Sequence, residues 1–191
     1  IPRHWEDYCD LVIRQNPKPL DIGKANDRYF INIAGGGTLT ELTYEVPSKL
    51  KTMIGQLAYY FKGMEKMVSL APQELIIKAS GQEVIHDEFM LFLIANTNSV
   101  GGFEKLAPGA TIDDGLLDVI AVRKCNLAEM IRLVTLALRG EHLQDKKIVY
   151  FKTDYMEVTS PGYVQLNLDG ELGGTLPATF RNLPHHLNVF R

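Results

Sequence analysis

At 191 residues, with 46% apolar residues and a formal net charge of −3, the chain can bury a core and offers no basic footprint for nucleic acid. Its two cysteines, Cys9 and Cys125, make neither a metal spacing nor a disulfide framework, so a reducing cytoplasm is expected. No apolar run reaches the roughly 18 residues of a membrane-spanning helix, and the opening Ile1-Pro2-Arg3-His4-Trp5 reads as a cut through a longer protein.

Residues 1–20 are mixed and polar and read as a lead-in, closed by Pro17-Lys18-Pro19. Two short strands are expected at Asp21–Asn26 and Tyr29–Ile33, with Asn26-Asp27 as the turn. The second runs into Ala34-Gly35-Gly36-Gly37, which reads as a tight connection from strand to helix. Thr38 and Glu41 have capping-box spacing for a helical stretch reaching about Met67, broken at Pro47-Ser48. Leu50, Ile54, Leu57, Ala58 and Phe61 fall on one face of its second half and are expected in the core.

Leu75–Lys78 and Glu83–Ile85 flank Ala79-Ser80-Gly81-Gln82 as a hairpin, and Phe89–Ala95 is a separate apolar strand. After the Gly101-Gly102 loop, Asp113-Asp114-Gly115 precedes a strand over Leu116–Val122. Asn126 should cap an amphipathic helix from Leu127 to Arg139, stopped by Gly140. From Ile148 onward the pattern is strand and turn, with His185-His186 before a short final strand. Short hairpin-sized connections favour a mainly β, sandwich-like fold with a few helices over a doubly wound parallel sheet.

Three segments carry polar groups in patterns that chemistry uses. Gly35-Gly36-Gly37-Thr38 can cradle phosphate, but it lacks the Gly-Lys-Ser/Thr of a P-loop and the GxGxxG spacing, and a tight turn explains it equally well. Asp113, Asp114 and Asp118 form a loop too short for an EF-hand; it can hold a hard cation or be a solvated turn. Val164-Gln165-Leu166-Asn167-Leu168-Asp169-Gly170-Glu171 alternates apolar and polar residues and delivers Asp169 and Glu171 to a turn. Asp-Gly favours a type I′ hairpin; the paired acids can also supply a general base or bind a cation.

Taken in order, Ile22-Gly23-Lys24, Tyr29 to Ala34, Leu91 to Asn96, Gly101-Gly102, Ala107-Pro108, Asp114 to Asp118 and Asn167 to Glu171 resemble the bacterial soluble diacylglycerol kinases, above all the Gram-positive type. Those enzymes are similar to sphingosine kinases and, more distantly, to NAD kinases. The resemblance covers almost the whole chain. It implies the β-sandwich-like C-terminal domain of a two-domain lipid kinase, with residues 1–20 leading in from the nucleotide-binding domain and 21–191 forming the sandwich.

The resemblance further implies an ATP-dependent kinase making phosphatidic acid from diacylglycerol at the inner membrane face, with Mg²⁺ as cofactor. Glu171 resembles the proton acceptor, with Asp169 beside it. Asp114 resembles the side-chain ligand of a structural Mg²⁺, with Thr111 (where Ser is usual) and Leu116 lending backbone carbonyls. ATP would bind through a Gly-Gly-Asp-Gly-Thr motif in the domain before Ile1; Gly35-Gly36-Gly37-Thr38 lacks its Asp. The chain alone is therefore expected to be inactive. Peripheral membrane contact, through apolar side chains near the cleft or basic residues such as Lys49, Lys51 and Lys62, and a homodimer through the Leu57–Phe61 helix, are further expectations. Two alternatives stand beside it: a kinase for another lipid alcohol (a sphingoid base or monoacylglycerol), and a non-catalytic sandwich that binds a lipid or a partner.

Overall fold

The computed structural model describes residues 4–13, 16–37, 71–98 and 105–190. The expected helices within 38–67, the lysines at 49, 51 and 62 and the Gly101-Gly102 loop lie outside them. Among the described residues there are eleven strands in one sheet, two α-helices and a short 3-10 turn. Every strand pair is antiparallel, as the hairpin-sized connections imply.

Helix α1 (Trp5–Ile13) precedes β1 (Lys18–Ala25), which starts three residues before the expected Asp21. Pro19 is tolerated there because β2 (Arg28–Phe30) pairs only with Gly23 to Ala25, and no other strand among the described residues pairs along the edge beside Pro19. The turn between them is Asn26-Asp27, with Asn26 at φ 50°.

The glycine run is not a turn. Ile33–Gly37 forms β3, inserted between β5 (Ile85–Ala95) and β9 (Gln165–Leu168). Its neighbours explain the composition: a Cβ on Gly36 would lie 2.6 Å from the Phe92 ring, and Gly37 sits at φ +108° with Leu91 backbone 2.8 Å from where its Cβ would be.

The two strands expected at Glu83–Ile85 and Phe89–Ala95 are one, β5. Its first half pairs with β4 (Gln73–Ala79) and its second half with β3. Strand β6 (Leu117–Arg123) runs along the opposite edge of β5 and pairs in turn with β7 (Ile148–Thr153). The sheet therefore splits at β5 into two arms. One arm continues through β3 and β9 to β10 (Glu171–Thr175); the other passes β4, β8 (Tyr155–Thr159), β11 (Ala178–Val189) and β1 to β2. The expected short final strand is the end of β11, which bulges at residues 184–186: Leu20 pairs with Leu187 but Ile22 with Leu183.

The two arms meet again at their far ends. The Arg28 guanidinium on β2 donates to the Leu172 carbonyl on β10 at 2.6 Å, and Asp169 receives the loop leading into β3. This encloses an apolar core that includes Phe30, Leu75, Phe89, Phe92, Met156, Leu166 and Phe180. Helix α2 (Leu127–Arg139) covers the outer face of β5 and β6 with Met130 and Leu133. Its bounds follow from local chemistry. Asn126 and Glu129 form a reciprocal capping box, and Gly140 closes the C-terminus at φ 76°.

After α2, the 3-10 turn His142–Gln144 buries His142, and among the described residues neither ring nitrogen has a well-formed hydrogen bond. Burial pushes its pKa below the ordinary 6.5, outweighing a favourable contribution from the Leu106 backbone. The unfolded chain thus takes up a proton that the folded one resists, so this residue costs stability as pH falls through about 6.5. His142→Phe is expected to flatten the loss of stability between about pH 7 and pH 5, read from urea midpoints. Equal slopes in both proteins would contradict that origin.

Candidate functional site

The β9–β10 hairpin carries the paired acids. Glu171 pairs with Leu168, so the connection is the two residues Asp169 and Gly170, at φ 51° and 96°. Positive φ at both positions is the type I′ geometry that the dipeptide favours. Asn167 steadies it by accepting the Gly170 N–H on its Oδ1 at 2.8 Å.

The two carboxylates are placed differently. Asp169 accepts three backbone N–H groups: Ile31 on Oδ2 at 2.6 Å, and Asn32 and Ile33 on Oδ1 at 2.8 and 2.9 Å. Its own N–H donates to the Ile33 carbonyl. Asp169 therefore seals the join between the two arms of the sheet. Glu171 is exposed, and among the described residues nothing hydrogen-bonds its carboxylate. It is available to a reacting group in a way that Asp169 is not.

The second expected cluster lies on the loop before β6. Asp114 accepts the Leu116 N–H at 3.0 Å and the Lys152 ammonium at 3.0 Å. Burial works against its charge, yet hydrogen bonds from Thr111, Lys152 and Leu116, with the Lys152 charge, hold its carboxyl below the ordinary range. Lys152 also donates to the Gly109 carbonyl at 2.7 Å and lies 3.4 Å from Asp118. Burial disfavours its charge too, but Asp114 and Asp118 outweigh this and raise its pKa.

Asp118 is buried and shifted upward by that burial, despite the Tyr150 hydroxyl at 2.6 Å. Asp113, grouped with these acids in the sequence, is exposed on the same loop.

The oxygens expected to hold a cation fit a hard divalent ion in kind. Asp114 supplies a carboxylate, and Thr111 and Leu116 sit on the same loop with backbone carbonyls. Beside Leu116 there is an acceptor without a donor among the described residues: Asn182 Nδ2 donates to the Leu116 carbonyl at 3.2 Å while its buried Oδ1 accepts from none of them. Lys152 would share Asp114 with such an ion. Among the described residues, no group of three or more His, Cys, Asp or Glu side chains could hold a metal.

Sequence reasoning missed the residues that tie these two places together. Asn96 donates from Nδ2 to the carbonyls of Ile31 and Asp21, both at 2.9 Å, and its N–H reaches the Asn32 carbonyl. Asp21 is fully buried on β1. Its carboxylate accepts the Gly115 N–H at 2.7 Å and the His185 N–H at 2.7 Å, and its own N–H donates to Ile112. A continuous path thus runs from Asp169 through residues 31–33, Asn96 and Asp21 to the 112–115 loop. The available signal was an acid inside an apolar strand, Leu20-Asp21-Ile22, which a solvated strand face does not require.

Residues 41–191 match the family of the YegS C-terminal NAD kinase beta sandwich-like domain. The chain belongs to that family. A curated relative, the diacylglycerol kinase of Bacillus subtilis (strain 168), is 57% identical over 192 residues, covering 99% of this chain and 62% of its own length. The diacylglycerol kinase of Staphylococcus carnosus (strain TM300) is 48% identical, with 100% and 62% covered. The family fold extends to solved structures: a diacylglycerol kinase from Bacillus anthracis str. Sterne matches at TM-score 0.70 with 21% identity, covering 100% of this chain and 60% of that one. An NAD kinase from Archaeoglobus fulgidus in complex with ATP matches at TM-score 0.51 with 10% identity, over 97% and 59%. The chain therefore spans about three fifths of the length of the curated relatives it matches. Among the described residues no helix is long and apolar enough to cross a membrane.

Proposed function

We propose that this chain is the lipid-receiving, base-supplying part of an ATP-dependent diacylglycerol kinase that makes phosphatidic acid. The observation that carries the reading is the contrast within the hairpin: Asp169 is spent on three backbone N–H groups, whereas Glu171 is exposed and without a hydrogen-bond partner among the described residues. Kinship with relatives named diacylglycerol kinase supports the substrate.

In this reading the lipid hydroxyl oxygen attacks the γ-phosphorus of ATP. The new O–P bond forms as the bond to the bridging oxygen breaks, and ADP leaves with that electron pair. Glu171 takes the hydroxyl proton as the nucleophile develops charge. Asp169 holds the turn so that Glu171 is presented at one angle, which matters because phosphoryl transfer is mainly positioning and charge neutralisation. Adenine and triphosphate would be bound mainly by a nucleotide-binding domain outside this chain, and the chain alone would be inactive.

Asp114, with the carbonyls of Thr111 and Leu116, would hold Mg²⁺, whose charge would brace the loop that Asp21 ties to the sheet. At about ten times its dissociation constant, Mg²⁺ should stabilise by roughly 1.4 kcal/mol, or about 4 °C in thermal midpoint. Asp114→Ala should abolish that response; a midpoint independent of Mg²⁺ in both proteins would remove the structural ion.

Peripheral contact with the inner membrane face, a cytoplasmic location and a homodimer belong to the same proposal. The discriminating assay gives the full-length protein ATP and a panel of diacylglycerol, monoacylglycerol and a sphingoid base. Fastest turnover on diacylglycerol is expected; preference for another alcohol would reassign the substrate, and no turnover on any would favour a non-catalytic binding domain.

A further inference from the structure

Glu171 sits between two anchors, and both come from residues 28–33. On one side Asp169 receives the N–H groups of Ile31, Asn32 and Ile33. On the other, Leu172 is held by Arg28. The second anchor follows from strand geometry. In a two-residue hairpin the flanking pair, Leu168 and Glu171, exchanges backbone hydrogen bonds, so the next pair, Asn167 and Leu172, turns its backbone groups away from the partner strand. The Leu172 carbonyl therefore points to the outer edge of β10, where no strand among the described residues pairs with it. The Arg28 guanidinium takes it there at 2.6 Å.

Beyond that point β10 pairs with β9 again only at Gly174 and Thr175. The register slips between Leu172 and Gly174, and Gly173-Gly174 follow as two glycines in succession, Gly174 at φ +103°. A hairpin arm that bulges immediately after Leu172 would leave the Glu171 side chain free to swing if its edge were unpinned. Among the described residues Arg28 has no carboxylate partner; Leu172 is what its side chain holds.

We propose that Arg28 is a positioning residue for Glu171: by gripping the Leu172 carbonyl it fixes β10 on the far side of the base from Asp169 and so sets the direction in which the Glu171 carboxylate is presented. This rests on Glu171 being the proton acceptor. Because the Arg28–Leu172 bond is exposed, its loss should leave the fold intact while reaching the chemical step.

The test is a double-mutant cycle on the full-length enzyme, with Arg28→Ala, Glu171→Gln and the pair, measuring kcat and the KM for ATP and lipid. Arg28→Ala is expected to lower kcat about tenfold or more with both KM values within about threefold. In the Glu171→Gln background the same change should add less than about twofold, since a residue that acts through the base has nothing left to position. Arg28→Lys, which can still reach one carbonyl with an ammonium, should return kcat to within about threefold of the parent.

Arg28→Ala with kcat within about twofold of the parent overturns the proposal, as does an undiminished tenfold loss in the Glu171→Gln background. Should Arg28→Ala fail to fold, Arg28→Gln is read against the same thresholds. Parental turnover by Glu171→Gln alone would instead remove the base assignment, and the proposal with it.

Discussion

Glu171→Gln in the full-length protein is expected to lose about 10²- to 10⁴-fold in kcat, the range that general-base catalysis contributes, while lipid binding is retained. Glutamine keeps the shape and length of the side chain but cannot take up the proton released by the attacking hydroxyl. The substitution should be nearly silent in stability, within roughly 0.5 kcal/mol, because the carboxylate is exposed and holds no described residue. A large fall in turnover without a fall in thermal midpoint would separate chemistry from folding. Turnover within about twofold of the parent would show that the proton goes elsewhere.

Asp21→Ala should have the largest effect on stability. The carboxylate is fully buried and accepts two backbone N–H groups from distant segments, Gly115 and His185. Each is a charge-assisted bond worth about 1.5–3 kcal/mol, and removing the acceptor leaves two part-buried N–H groups that water can partly reach, so a loss of about 3 kcal/mol, the low end of the sum, is expected. For a domain of this size that corresponds to a thermal midpoint lower by about 6 °C or more. Asp21→Asn, which keeps one acceptor oxygen, should fall between the two. A loss below about 1 kcal/mol for Asp21→Ala would mean that the bulge at residues 184–186 and the loop at 112–115 hold without it.

What could be read ahead of the structure was local in origin. Helix α2 begins and ends where its sequence says because the Asn126–Glu129 capping box and the Gly140 stop are made within a few residues of each other. The type I′ turn at Asp169-Gly170 is likewise legible, since its dihedral requirement is written in its own two residues. The glycines at 35–37 were misread because their meaning lies across the sheet. They are small to make room for Phe92, Leu93 and Leu91 of β5, and no window around Gly36 contains that information.

The same distinction runs through the candidate site. Glu171 and Asp169 can be picked out as a pair, but their division of labour depends on residues 31–33, more than 130 positions away. Asp21 reaches partners 94 and 164 residues distant, so its part in holding the 112–115 loop emerges only when β1, β6 and β11 are brought together. The lysine facing the cation loop is not legible for that reason: Lys152 comes from β7, and pairing with β6 places it against Asp118 and Asp114.

The most direct test of the account gives the full-length protein diacylglycerol and ATP labelled at the γ-phosphate, and follows the label. Labelled phosphatidic acid from the parent protein, and almost none from Glu171→Gln at equal protein and lipid, is the expected result. No labelled lipid from the parent, or the same amount from both, would contradict it.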